Sequence, residues 1–218
     1  MSTIVTLYGL GPSRSFRALW ALEEAKIAYD YVELDFSDLG DSGRFGPHYS
    51  DLNTQGKVPT LVVGDTEENA APLVLTESAA IVNYIACMSG DLQLKPEEGT
   101  VLRAKYDEMC FFILCELEQP LWATGKHKFA LPEEYRVPEI LSTTVAYEFA
   151  KAQKTLLALM QGRDFAVGDS FTMADIMLAQ TVGWAYKFEF AVDEKLLAYR
   201  ERIIQRDSFV RATQVITK

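Results

Sequence analysis

Residues 58–63 read Val-Pro-Thr-Leu-Val-Val, and residues 73–85 read Leu-Val-Leu-Thr-Glu-Ser-Ala-Ala-Ile-Val-Asn-Tyr-Ile. The first stretch is short, apolar and β-branched, the pattern of a buried strand. In the second, Leu73 to Leu75 predicts another short strand, and Thr76 to Met88 then steps in helical period, with Ala80, Ile81, Tyr84 and Ile85 on one face. Asp65 to Ala71 is a polar turn between them. Upstream, Thr3 to Tyr8 reads as a buried strand, broken by Gly9-Leu10-Gly11-Pro12. Ser13 to Lys26 reads as a helix through Phe16, Leu19, Trp20 and Leu22, and Tyr29 to Leu34 alternates as a second strand. Ser37 to Asn53 is rich in glycine and proline and predicts only a short helix. The order β-α-β-(α)-β-β-α is an α/β layer.

Past Ser89-Gly90-Asp91 the pattern becomes helical throughout. Leu102, Tyr106, Met109, Ile113 and Leu117 form one apolar stripe, which Pro120 is expected to interrupt. Leu141, Val145, Phe149, Gln153, Leu156 and Met160 share another face, ending at Gly162. Further helices are expected over Met173 to Phe188, Asp193 to Gln205 and Ser208 to Val215. The chain therefore divides into an α/β domain at 1–88, a linker at 89–97 and an all-α helical domain at 98–218.

Composition excludes several classes. Of 218 residues, 49% are hydrophobic and 24% charged, so most of the chain is expected to fold. No apolar run reaches the ~18 residues of a membrane helix, and the N-terminus lacks a basic flank and signal core. The expectation is a soluble, cytoplasmic protein. The net charge is −10, with −7 carried by residues 1–85. No basic stripe is available for nucleic acid, and anionic lipid would be repelled. An anionic ligand must then be held by local donors. Cys87, Cys110 and Cys115 are odd in number and lack CxxC spacing, which argues against a disulfide scaffold and against zinc. His48 and His127 are too few and too scattered for a metal site.

Four motifs carry candidate chemistry. In Gly56-Lys57-Val58-Pro59-Thr60-Leu61, a cis Val58–Pro59 bond would turn the Val58 N–H and C=O outward to pair with a small peptide. The plain alternative is a trans proline on an edge strand. In Leu75-Thr76-Glu77-Ser78-Ala79, the strand-to-helix junction offers free N–H groups, a Ser78 hydroxyl for a carboxylate and a Glu77 acceptor for an ammonium. The plain alternative makes Thr76 an N-cap and Glu77 a first-turn acid. In Gly11-Pro12-Ser13-Arg14-Ser15, a hydroxyl at the helix start can stabilise a thiolate and lower a thiol pKa from ~8.5, or simply cap the helix. In Phe171-Thr172-Met173-Ala174-Asp175-Ile176, Thr172 and Asp175 have capping-box spacing and Phe171 and Ile176 that of a hydrophobic staple, a structural signal.

In this order and spacing, the four motifs resemble the cytosolic glutathione transferases over nearly the whole chain. The resemblance implies a bacterial-type, serine-dependent member with a thioredoxin-like N-terminal domain, a helical-bundle C-terminal domain and a homodimeric assembly. It implies that glutathione is the co-substrate and no metal is used. Val58 would hold the cysteinyl backbone with Pro59 cis, Glu77 and Ser78 the γ-glutamyl end, and Lys57 the glycyl carboxylate, with Gln55 and His48 near that end. The thiol-activating candidates are Ser13, which stands four before Arg17 as in theta-like members, then Ser15 and Tyr8. No cysteine occupies that region, which counts against the thiol-transferring omega-like and beta-like branches. The implied activity is conjugation of glutathione to small hydrophobic electrophiles held by the helical domain, where Met109, Phe112, Trp122, Phe129 and Tyr186 are either pocket lining or plain core. A non-catalytic binding protein, or a glutathione-dependent peroxidase, isomerase or reductase, is the alternative.

Overall fold

Alternation decides the central strand. In β1 (Thr3–Gly9), Val5 and Leu7 are buried while Thr6 and Tyr8 are half-covered. The computed structural model describes residues 3–35, 47–65 and 71–217. In it β1 lies inside a four-stranded sheet of order β2-β1-β3-β4, with β2 at Asp30–Glu33, β3 at Thr60–Asp65 and β4 at Leu73–Leu75. β1 runs parallel to β2 and antiparallel to β3, and β3 runs antiparallel to β4. The helices of this unit are α1 (Ser15–Ala25), α2 (Pro47–Leu52) and α3 (Ser78–Ser89). α1 buries Ala18 through Leu22 without a break, because it packs against α3 and also against the last helix of the chain. This is a thioredoxin-like α/β layer. The sequence placed Pro59 inside a strand, but β3 begins one residue later. The segments 36–46 and 66–70, which include part of the expected short helix and most of the polar turn, lie outside the described residues.

The chain separates into two compact units, Met1–Asp91 with Arg206–Lys218, and Leu92–Gln205. The second is all helical. α4 (Val101–Phe112) is capped by the Thr100 hydroxyl, which accepts from the Arg103 N–H at 3.1 Å. Tyr106, Met109, Ile113 and Leu117 of the expected stripe are buried, whereas Leu102 is exposed. Pro120 does not end this helix. A five-residue π-helical turn, Ile113–Leu117, precedes it and runs directly into α5 (Glu118–Gly125), so the widened turn carries the helical path past Pro120. A second π turn, Lys126–Ala130, follows. α6 (Ala146–Met160) ends in a left-handed Gln161 one residue before Gly162. α7 (Met173–Lys187) is the buried centre of the unit, and α8 (Glu194–Ile203) completes it.

The sequence carried the helical domain to residue 218, but the last helix, α9 (Asp207–Ile216), returns to α1. Phe209 meets the rings of Phe16 and Trp20 edge-on, with centroids 5.3 and 5.0 Å apart. The Trp20 indole N–H donates to the Ser208 hydroxyl at 3.0 Å, and Ser208 and Arg206 both donate to Glu24. Arg211 donates to Glu23, which also accepts from the Tyr29 hydroxyl at 2.6 Å. Apolar periodicity announces that a helix has a buried face; it does not say which unit covers that face.

Candidate active site

Strand register brings the candidate residues to one edge of the sheet. Tyr8, near the end of β1, pairs with Thr60 at the start of β3, and Leu61 pairs with Leu75 at the end of β4. The turn leading into α1, the Lys57-Val58-Pro59 stretch and the start of α3 therefore leave the sheet side by side.

At the first of these, Ser13 and Ser15 form one hydroxyl pair. Ser13 accepts from the Ser15 N–H at 3.1 Å and donates to the Ser15 hydroxyl at 3.0 Å. The Ser15 hydroxyl accepts from the Leu10 N–H at 3.2 Å and is 1% exposed, so it braces the turn rather than facing a ligand. Ser13 is half-buried, and its hydroxyl holds the first N–H of α1, while Arg14 at the N-cap position makes no side-chain cap bond. Tyr8 is half-buried, its ring tilted against Tyr49 with centroids 6.0 Å apart, in a small apolar cluster with Leu10, Leu34 and Val58. Gly9 has to be glycine, because a Cβ there would stand 2.9 Å from the Ser15 Cβ and 2.8 Å from the Tyr31 ring.

At the second, the Val58–Pro59 bond is cis. Val58 lies outside the β3 ladder, and its N–H and C=O make no hydrogen bond among the described residues. Lys57 and Gln55 are exposed; His48 sits on α2 with its side chain outside the described residues. Sequence reading missed two residues here. The Tyr49 hydroxyl and the Asn53 side-chain amide both donate to the Lys57 carbonyl, at 2.6 and 2.7 Å, and both bond the Thr60 hydroxyl, at 2.7 and 3.1 Å. A glycine-rich stretch of no clear period gave no signal for them.

At the third, Thr76 is not the cap. α3 begins at Ser78 with Glu77 as N-cap, at φ 66° and ψ 111° and without a side-chain cap bond. A non-glycine residue at positive φ is strained by ~1–3 kcal/mol, and such outliers gather at functional sites. The first helical bond runs from the Ile81 N–H to the Glu77 carbonyl, which leaves the N–H groups of Ser78, Ala79 and Ala80 ahead of it. Ser78 is 5% exposed and accepts from the Arg17 guanidinium at 3.3 Å. Arg17, noticed in the sequence only as the helix arginine, is fully buried. A buried cation therefore lies beneath an uncapped helix start in an otherwise acidic unit.

A family model described as the N-terminal domain of glutathione S-transferase matches residues 4–87, and one described as its C-terminal domain matches residues 120–207. The chain belongs to the glutathione S-transferase family. Among relatives of the family, glutathione S-transferase GstA of Escherichia coli O157:H7 is 28% identical over 163 residues, 74% of each chain. Maleylacetoacetate isomerase maiA of Aspergillus fumigatus is 28% identical over 215 residues, covering 95% of this chain and 89% of its own. The solved structure of a sphingomonad glutathione S-transferase complexed with glutathione superposes with a TM-score of 0.77 at 25% identity, covering 97% of this chain and 98% of the other.

Away from the edge, Cys110 is buried and its thiol pushed up to about 12 by that burial, which suits a packing role. Cys87 and Cys115 are exposed, on α3 and in the π turn. Of the residues weighed for an electrophile pocket, Met109 is buried, Phe112 and Trp122 are half-buried, and Phe129 and Tyr186 are exposed, with Phe129 edge-on to Phe188. No cluster of metal-binding side chains occurs among the described residues, and no helix among them is long and apolar enough to cross a membrane.

Proposed function

We propose that this protein binds glutathione at the sheet edge and conjugates its thiolate to small hydrophobic electrophiles. The observation that carries the reading is the strained, uncapped start of α3 together with a Val58 whose backbone groups are uncommitted among the described residues. Val58 pairs antiparallel with the cysteinyl backbone. Ser78 and the first N–H groups of α3 take the γ-glutamyl carboxylate, and Glu77 takes the ammonium. Lys57 takes the glycyl carboxylate, with Gln55 and His48 near that end. Ser13 turns its donor from Ser15 to the sulfur, because Ser15 is committed to Leu10 and Tyr8 sits in the cluster around Tyr49. The stabilised thiolate attacks the electrophile: a C–S bond forms, and the leaving group departs or solvent protonates the adduct. The protein works as a cytoplasmic homodimer, so sedimentation should give about twice 24.5 kDa.

A second reading has one observation in its favour, the isomerase relative aligned over nearly the whole chain. A glutathione-dependent isomerase uses the same thiolate but releases glutathione unchanged. Calorimetric titration with glutathione, followed by turnover with an aryl halide, separates the possibilities. Binding with consumption of glutathione supports conjugation; binding without consumption points to isomerisation or a non-catalytic role; no binding overturns the proposal.

A further inference from the structure

The hydrogens around the Lys57 carbonyl assign themselves. Asn53 is 4% exposed, and its Oδ1 accepts from the Gln55 N–H at 3.0 Å, so its amide nitrogen faces Lys57 and Thr60 and gives one hydrogen to each. Thr60, fully buried, accepts from Asn53 and donates to Tyr49, and Tyr49 donates to the Lys57 carbonyl. Each of these donors has an acceptor, and two of them, from Tyr49 and Asn53, meet on a single peptide carbonyl.

That group is the one whose other side is the Val58 N–H. The Lys57–Val58 peptide is trans, so its C=O and N–H point in opposite directions in one plane. Two donors on the carbonyl fix that plane and polarise the group, which strengthens the N–H as a donor. Tyr49 also packs on Tyr8 and Leu10, tying this peptide to the end of β1. We propose that Tyr49 and Asn53 are positioning residues that aim and strengthen the Val58 N–H toward the peptide carbonyl of the bound ligand. The proposal rests on the glutathione reading; neither residue touches the ligand.

The test compares glutathione with γ-glutamylcysteamine, which keeps the γ-glutamyl group and thiol but lacks the cysteinyl carbonyl. Affinities for both are measured by calorimetry on the wild type, Tyr49→Phe and Asn53→Ala, with kcat, KM and the pH profile of the thiol. Tyr49→Phe should weaken glutathione about tenfold and γ-glutamylcysteamine less than about twofold, with Asn53→Ala following the same pattern. KM for glutathione should rise while kcat and the pH profile hold. The ratio between two ligands reads only folded protein, so a destabilised variant still reports. Equal weakening of both ligands, or of neither, overturns the positioning role. A wild type that binds neither ligand overturns the glutathione reading itself, a distinguishable result.

Discussion

The starts of α3 and α7 pose the same physical problem and resolve it in opposite ways. At α7, Asp175 accepts from the N–H groups of Ala166 and Thr172, each at 2.8 Å, and from the Tyr199 hydroxyl at 2.7 Å. In return the Thr172 hydroxyl accepts from the Asp175 backbone N–H, which completes a capping box. Burial pushes the Asp175 carboxyl up, and these donors oppose it. At α3 no side chain closes the helix, the acid is exposed, and its backbone is held at a positive φ. A helix start that satisfies its own donors contributes to the fold. One that leaves them open, at a cost in strain, has them available for a ligand.

The widest separation between the two should come from the closed start. Asp175→Ala leaves two buried N–H groups without an acceptor, and unfolding by denaturant should lose about 3–4 kcal/mol. Glutathione affinity of the protein that remains folded should hold. At the open start, Glu77→Gln should weaken glutathione by ~1.5–3 kcal/mol in calorimetry, while the melting temperature reflects only ~0.3–1 kcal/mol. Glu77→Gly sharpens this further: it relieves the backbone, so stability should rise by about 1 kcal/mol even as affinity falls. A Glu77→Gln variant that loses stability and keeps its affinity would make α3 an ordinary helix start and erase the contrast.

The serine pair repeats the comparison within one turn. Ser13→Ala should raise the pKa of bound glutathione by roughly one to two units, read from the pH dependence of thiolate absorbance. Ser15→Ala should leave that pKa alone and lower stability by about 1–2 kcal/mol, since the Leu10 N–H loses its acceptor.

The smallest effect belongs to Glu24, whose carboxyl lies below its ordinary range. Burial pulls it up, but bonds from Arg206 and Ser208 and the charge of Arg206 outweigh that. A depressed folded pKa contributes stability above the unfolded value of ~4.3 and loses it as pH falls through the folded one. Glu24→Gln should therefore cost about 1 kcal/mol near neutral pH, a value reduced by the partial exposure of Arg206. The gap in melting temperature from the wild type should close in acid.

Much of this was legible in the chain itself. Period changes marked the α/β layer and the helical run, and Thr172 and Asp175 announced their box because capping is local in sequence. Val58, Glu77 and Ser78 were singled out together through family resemblance more than through any one motif, and the register of β1, β3 and β4 brings their segments to one edge of the sheet. What stayed hidden was long-range or conformational. Arg17 meets Ser78 across 61 residues. Pro120 stays within a helix because the turn before it widens. Tyr49 and Asn53 act on a peptide group, which has no side-chain signature.

The return of α9 makes the helical unit an insertion within the first unit rather than a successor to it. On a ribosome, the sheet and α1 emerge early, but the helix that covers Phe16 and Trp20 is made more than a hundred residues later. At ~5–20 residues per second, those rings wait for several seconds at least. Synthesis order and folding order are thus decoupled: the α/β layer is begun before the helical unit is made and completed only after it.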